Sequence, residues 1–303
     1  MLGSYSKNKY YSQFGEDGIV EEIFQRLENN IELDKWCSEF GAWDGVFLSN
    51  TCHFIRNKQY KAVLIEGDPS RVSDLKKNFP QEEVHKVQKF VSFEGPNSLD
   101  SIFSEYEIPI NFDFLSIDID GVDYHIFESL EKYHPKVICI EFNPTIPNAV
   151  EYVQPKDMKI KHGNSAKAIV RLGHTKGYKL VASTKCNLIL VDEKLANFVI
   201  ENEPSLDSLH EIGTLPTYIF SGYDGSILSN KEYLVLGWHT IPVPISKLQF
   251  LPRLLRKYSG DYGYLRKFLL IIYVGLRIPK TILKFRKRAV MKLKNDLKTI
   301  FRF

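Results

Sequence analysis

The stretch SEFGAWDGVFLSN, residues 38–50, carries an acid, two glycines four apart, a second acid and an Asn at its exit. Glu39 and Gly41 follow KWC (35–37), which reads as a strand. Gly45 precedes SNTCHFIRN (49–57), which opens with residues that cap helices. A strand, a glycine-bearing turn and a helix form the first unit of a nucleotide-binding α/β fold. In such a fold the ligand sits beyond the carboxyl ends of the strands, where strand order reverses. The first turn then needs glycine, because the backbone must approach the ligand closely.

The flanking sequence continues the pattern. EDGIVEEIFQRLEN (16–29) places Ile19, Val20, Ile23, Phe24 and Leu27 on one helical face, with Asp17 as its N-cap. Strands are expected in KWCSEFG, KAVLIEG, VHKVQKFVSF, FDFLSIDID and KVICIEFNP. Helices are expected in DPSRVSDLKKNF, SLDSIFSEY, DYHIFESLEKY and SAKAIVRLGHTKG, and YKLVAST with NLILVDE reads as a closing hairpin. Continuous apolar strands alternating with amphipathic helices predict a sheet covered on both faces. The expected fold is therefore a Rossmann-like, doubly wound, mostly parallel seven-stranded sheet with a terminal antiparallel hairpin, over residues 1–203. Residues 204–246, interrupted by Pro204, Pro216, Pro242 and Pro244, are expected to form an irregular capping segment. Residues 247–303 read as a basic amphipathic tail.

Two details choose the nucleotide. Glu66 ends the second strand, where a carboxylate can accept both ribose hydroxyls. That alone suits NAD and S-adenosylmethionine equally. A dinucleotide fingerprint is GxGxxG, whose second glycine admits a pyrophosphate at a helix N-terminus. Here Gly41-Ala42-Trp43-Asp44-Gly45 puts Trp43 in that place. Glu39 and Asp44 beside the turn would repel pyrophosphate, and they suit the sulfonium and ammonium groups of S-adenosylmethionine. No GxxxxGK[ST] is present, which excludes a P-loop. Glu39, Gly41, Asp44, Gly45 and Glu66 are thus the expected cofactor residues, whereas Asp68 before Pro69 reads as a helix start.

EFGAWDG, VLIEGDP, SLDSIF, FDFLSIDIDGVDYHIFESL and PKVICIEFNP, in this order over roughly residues 10–195, resemble the FkbM-like branch of class I adenosylmethionine-dependent methyltransferases. The resemblance implies O-methylation of a hydroxyl on a sugar, glycan or natural product. It also implies that SQFGED (12–17) lies beside the cofactor, which adds Gln13 and Asp17 to the expected site. The chain departs from the family's DxEG after strand four, having Asp120 where Glu is common; the charge is kept and the reach is shorter.

Asp118, Asp120 and Asp123 form D-x-D-x-x-D at the end of strand four, and Glu141 and Asn143 end strand five. Asp118 is expected to serve both cofactor and catalysis, with Asp120 and His162 as further candidates for taking a proton. Asp118, Asp120 and Glu141 would be the donors if the site holds Mg²⁺, which prefers hard oxygen ligands. The bland alternative is hydrogen bonding and helix capping without metal. His125 and His162 have a bland reading too, as surface or half-buried histidines.

The chain has 303 residues, 44% of them hydrophobic, enough for one substantial core and an appendage. Four scattered cysteines without a CxxC pair suggest a reducing, cytoplasmic setting. The first residues carry no apolar run of the kind a secretory signal needs. A net charge of +3 conceals a division: residues 247–303 hold 16 basic and two acidic residues, a net +14, which leaves −11 on residues 1–246. Such a tail predicts an anionic partner. A membrane surface, reached from its inner face, is preferred over nucleic acid because the acidic body would repel phosphates. FLLIIYVGL (268–276) is too short to span a bilayer, which takes about 20 residues. The reading of a different class is a non-catalytic, membrane-associated binding protein on a methyltransferase scaffold.

Overall fold

The computed structural model describes residues 2–210 and 216–278. The backbone divides into two compact units, Met1–Pro216 and a second beginning at Thr217.

The first unit is built on strands β1 (Trp36–Phe40), β2 (Lys61–Glu66), β3 (Val84–Gln88), β4 (Phe114–Ile117), β5 (Val137–Glu141), β6 (Tyr178–Ser183) and β7 (Asn187–Asp192). They form one sheet in the order β3-β2-β1-β4-β5-β7-β6. The first five pair in parallel, and β7 runs antiparallel to both β5 and β6. The order reverses between β1 and β4, so the carboxyl ends of these two strands flank the switch point where an open α/β sheet binds its ligand. This is the Rossmann-like, doubly wound sheet expected from the sequence, with its antiparallel closing hairpin.

Side-chain alternation explains why the strands read as unbroken apolar runs. Ala62 and Leu64 of β2 join one core with α1 (Glu16–Glu28), while Val63 and Ile65 join the other. Val137 and Cys139 of β5 face the first core, and Ile138 and Ile140 the second. Helices α4 (Leu99–Phe103), α5 (Asp123–Ser129) and α6 (Ala166–Thr175) line the second face. Fully burying each of the Val, Leu and Ile side chains among them contributes about 1.5–3 kcal/mol.

Two local expectations are corrected. Asp17 is not the N-cap of α1: Gly15 holds that position at φ 85°, and Asp17 lies in the first turn. SNTCHFIRN opens helix α2 (Cys52–Lys58), where Thr51 at the N-cap makes no capping side-chain bond and donates to Glu39, while the Ser49 hydroxyl accepts from the Cys52 amide (3.0 Å). Helix α3 (Pro69–Asn78) does start on Asp68, whose carboxylate accepts from the Ser70 and Arg71 amides.

After α7 (Glu193–Val199) and α8 (Leu206–Leu209), the second unit opens with two hairpins. β8 (Ile219–Ser221) pairs with β9 (Ile227–Ser229), and β10 (Tyr233–Leu236) with β11 (Ile241–Pro244). Residues 217–244 are therefore regular where an irregular segment was expected. A strand with only one neighbour tolerates Pro242 and Pro244, because one of its edges needs no donors. Helix α9 (Tyr264–Arg277) follows. The basic helical pattern through Ile282, Phe285, Ala289, Leu293 and Leu297 lies outside the described residues.

Candidate functional site

The carboxyl ends of β1, β2, β4 and β5 carry acids, and the structure sorts them by how fully the chain itself uses them. Glu39, at the end of β1, is buried and accepts from the Ser49 hydroxyl (2.6 Å), the Thr51 hydroxyl (2.7 Å) and the Asn50 amide (2.9 Å). Burial raises its pKa, and these three donors oppose the shift. Glu39 thus fastens the 49–51 loop, with one acceptor position on Oε1 not used by these three donors. Asp44 likewise closes its own turn, accepting from the amides of Val46 (2.9 Å) and Phe47 (2.8 Å).

Gly41 has φ 72°, and a Cβ there would come 2.1 Å from the Asp118 carbonyl oxygen. The glycine is demanded by the approach of β4 to the first turn. Gly45, at φ 75°, faces the Phe79 and Leu75 side chains in the same way. Trp43 between them adopts φ 50°, uncommon for a bulky residue. Its amide donates to Glu66 (2.9 Å), its ring is 46% exposed, and the Arg71 guanidinium lies over that ring.

Glu66 is different from Glu39. Its carboxylate is half-buried and accepts one bond on each oxygen, from the Trp43 amide and the Asp68 amide (2.8 Å). One acceptor position per oxygen remains, the number a ribose diol would use.

At β4 and β5, one carboxylate oxygen each from Asp118, Asp120 and Glu141 lies within 4.8 Å of the other two. No salt bridge among the described residues engages any of the three. Lys161, in the neighbouring loop, gives its ammonium to the Ile119 carbonyl (2.8 Å). Burial, then repulsion from neighbouring carboxylates, raises the pKa of both Asp118 and Glu141. The pair therefore retains a proton above the ordinary carboxylate range. Asp120 reaches the cluster from a left-handed backbone, φ 56°, a conformation that Asp tolerates better than most residues.

Asp123 and Asn143 do not join this group. Asp123 is buried and accepts from the Ile119 (2.9 Å) and Gly121 (2.8 Å) amides, holding the turn after β4. Asn143 accepts from Thr145 and donates to the His162 carbonyl (2.8 Å). His162 is exposed, with Nδ1 2.8 Å from the Tyr152 hydroxyl, and lies outside the carboxylate cluster. Its loop is fastened to the 118–121 turn by Lys161 and by Asn164, which donates to the Gly121 carbonyl (2.7 Å). His125 is buried with Nε2 2.8 Å from the Gln154 carbonyl, a packing role.

The N-terminal SQFGED segment reaches this edge through a bridge between Ser12 and Leu48. Asp17 accepts from the amides of Tyr10, Tyr11, Ser12 and Gly18 and from the Ser12 hydroxyl, a structural role that holds the segment before α1. Glu16, which the sequence did not single out as a site residue, ties α1 to the β6–β7 hairpin through Thr184 (2.7 Å) and Asn187 (3.1 Å). Gln13 is exposed, its side-chain oxygen 4.0 Å from the Cys186 sulfur. The sequence also missed Phe90, 72% exposed, whose ring covers Gly67 just after Glu66. In the sequence Phe90 falls within VHKVQKFVSF, the stretch read as the third strand, whereas β3 ends at Gln88.

Raised acid pKa values carry a stability consequence. Near neutral pH the native state holds a proton that the unfolded carboxylates have released, so stability falls as pH rises through the folded-state values. Glu141→Gln removes one of the competing charges. Its melting temperature, followed from pH 6 to 9, is expected to fall less steeply than that of the wild type; parallel curves would contradict the shared proton.

No family model matches the chain, and no curated protein matches it. Among solved structures, it is similar to the citrinin polyketide synthase CMeT domain at 11% identity and TM-score 0.39, covering 60% of this chain and 54% of that one. The chain thus spans about half the length of that relative. It is also similar to a SAM-dependent methyltransferase from Aquifex aeolicus (11% identity, TM-score 0.33, 56% and 87% covered). A third is the glycopeptide N-methyltransferase MtfA, complexed with S-adenosylmethionine (10% identity, TM-score 0.34, 56% and 85% covered). By strand order the first unit is a Rossmann-like α/β unit, with carboxylates at the strand ends around its switch point.

Proposed function

We propose that this chain is an S-adenosylmethionine-dependent methyltransferase acting on a hydroxyl of a sugar, glycan or related small molecule. One arrangement carries the reading: at the carboxyl edge of one sheet, a carboxylate with open acceptor positions ends β2, and three carboxylates without ion-pair partners among the described residues follow β4 and end β5. Such an edge fits a ligand with a vicinal diol at one end and cationic groups at the other. Adenosylmethionine supplies a methyl group on a cationic sulfur. Glu66 would accept from the ribose hydroxyls, and Gly41, exposed on its turn, allows close backbone approach. Asp118 and Asp120 would face the cationic end, and Asp118, its pKa raised, would once deprotonated take the proton of an acceptor hydroxyl. The sugar-type acceptor rests on the FkbM-like resemblance. Asp118, Asp120 and Glu141 also offer the hard oxygen donors that Mg²⁺ takes, which is the second reading of the same cluster.

Calorimetry with adenosylmethionine and adenosylhomocysteine tests the cofactor directly. Glu66→Ala is expected to weaken binding by about 1–3 kcal/mol, while Glu66→Gln, which keeps one acceptor oxygen, loses less. Absence of binding to the wild type would overturn the proposal and favour the non-catalytic scaffold.

A further inference from the structure

Helix α9 wears its hydrophobic side outward. Tyr264 (98% exposed), Leu265 (72%), Phe268, Ile271, Ile272 and Leu276 (80%) are all exposed, and no residue of the helix is buried. At 3.6 residues per turn these six fall within about 140° of the circumference. The half-buried positions Leu270, Tyr273 and Val274 lie opposite. There the Tyr273 ring meets Phe250 at 5.9 Å, and its hydroxyl donates to the Phe250 carbonyl. The helix is therefore seated by its back, and its apolar face remains uncovered among the described residues.

The charges around this face are of one sign. Lys267 falls about 40° beyond one edge of the arc, Arg266 and Arg277 lie on the back of the helix with Leu270 and Tyr273, and α9 contains no acid. Across residues 247–278 seven basic residues stand against Asp261 alone. A second copy docked face to face would bring like charges together without a compensating acid. Nucleic acid would satisfy the cations and leave the apolar row in water. An anionic lipid surface satisfies both at once: the acyl boundary takes the apolar row, and the headgroups take Lys267 and the net positive charge of the surrounding segment. Fourteen residues rise about 21 Å, short of the roughly 30 Å hydrocarbon core, so the helix lies in the plane of the surface. No helix among the described residues is long and apolar enough to cross a membrane.

We infer that α9 is an in-plane anchor that docks this protein on an anionic bilayer through Tyr264, Leu265, Phe268, Ile271, Ile272 and Leu276. The inference is independent of the methyl-transfer reading, since vesicle binding tests one and cofactor calorimetry the other. Full-length protein is titrated with phosphatidylcholine vesicles and with vesicles that also contain phosphatidylglycerol, and binding is read by co-sedimentation. Binding to the anionic vesicles is expected to be at least about tenfold tighter and only partly reversed by high salt. The double variant Phe268→Asp/Ile272→Asp is expected to lose about tenfold or more of that affinity, with its melting temperature and cofactor binding unchanged because both positions are exposed. A Phe268→Trp reporter is expected to shift its emission to the blue on anionic vesicles. Three results would overturn the inference: unaltered vesicle binding by the double variant, negligible binding to both vesicle types, or a concentration-dependent dimer or nucleic-acid complex that the double variant abolishes in place of lipid binding.

Discussion

Gly41→Ala is expected to destabilise the first unit by about 2–5 kcal/mol and to lower its melting temperature by about 5–15 °C. Two costs add. A side chain at φ 72° is penalised by about 1–2 kcal/mol in the left-handed region. The new Cβ would also stand 2.1 Å from the Asp118 carbonyl oxygen, which is backbone and cannot rotate away. Gly95→Ala is the control, because Gly95 has φ 71° and nothing within 4 Å of the Cβ position. It should show the dihedral penalty alone. Equal losses in the two variants would mean that the β1 turn and the end of β4 are not in contact as described. The comparison bears on function, because a bulkier residue at 41 would push apart the two strand ends that frame the ligand edge.

Asp118→Asn is expected to lower methyl transfer by about 10²–10⁴-fold while leaving the fold intact. The substitution keeps shape and removes the carboxylate that would take the acceptor's proton. In the wild type, burial and the neighbouring carboxylates raise the pKa of Asp118, so the base becomes available only as pH rises through that raised value. The wild-type rate should climb across that limb, and the variant should lack it. Calorimetry keeps the result interpretable, since lost turnover with retained adenosylmethionine affinity assigns Asp118 to the chemical step. Chelation distinguishes the two readings of the cluster. Indifference to EDTA supports a metal-free base, whereas activity lost to EDTA and restored by Mg²⁺ supports the three carboxylates as metal ligands. Wild-type turnover in Asp118→Asn would sink both.

The sheet was legible in the sequence because its information is local. Strands buried on both faces must be apolar at every position, as in Ala62-Val63-Leu64-Ile65, and amphipathic helices must alternate with them. The order of elements and the single reversed strand follow from that pattern with short connections. The acids at the strand ends could also be found, because a strand's carboxyl end can be placed to within a residue or two. What could not be read was how far the chain itself engages each of those acids. Glu39 and Glu66 look alike in sequence, yet Ser49, Asn50 and Thr51 fold back onto Glu39, while Glu66 keeps acceptor positions open. Asp17 and Asp123 are consumed by backbone amides brought to them by turns. Asp118, Asp120 and Glu141 become a group only when β4 and β5 pair and Asp120 takes its left-handed backbone. The tail's charge was visible from composition alone, but the side of α9 that faces outward was decided by how Tyr273 seats its back on Phe250. Apolar periodicity is a property of neighbours along the chain, whereas the satisfaction of a carboxylate and the exposure of a helix face depend on what folding brings alongside.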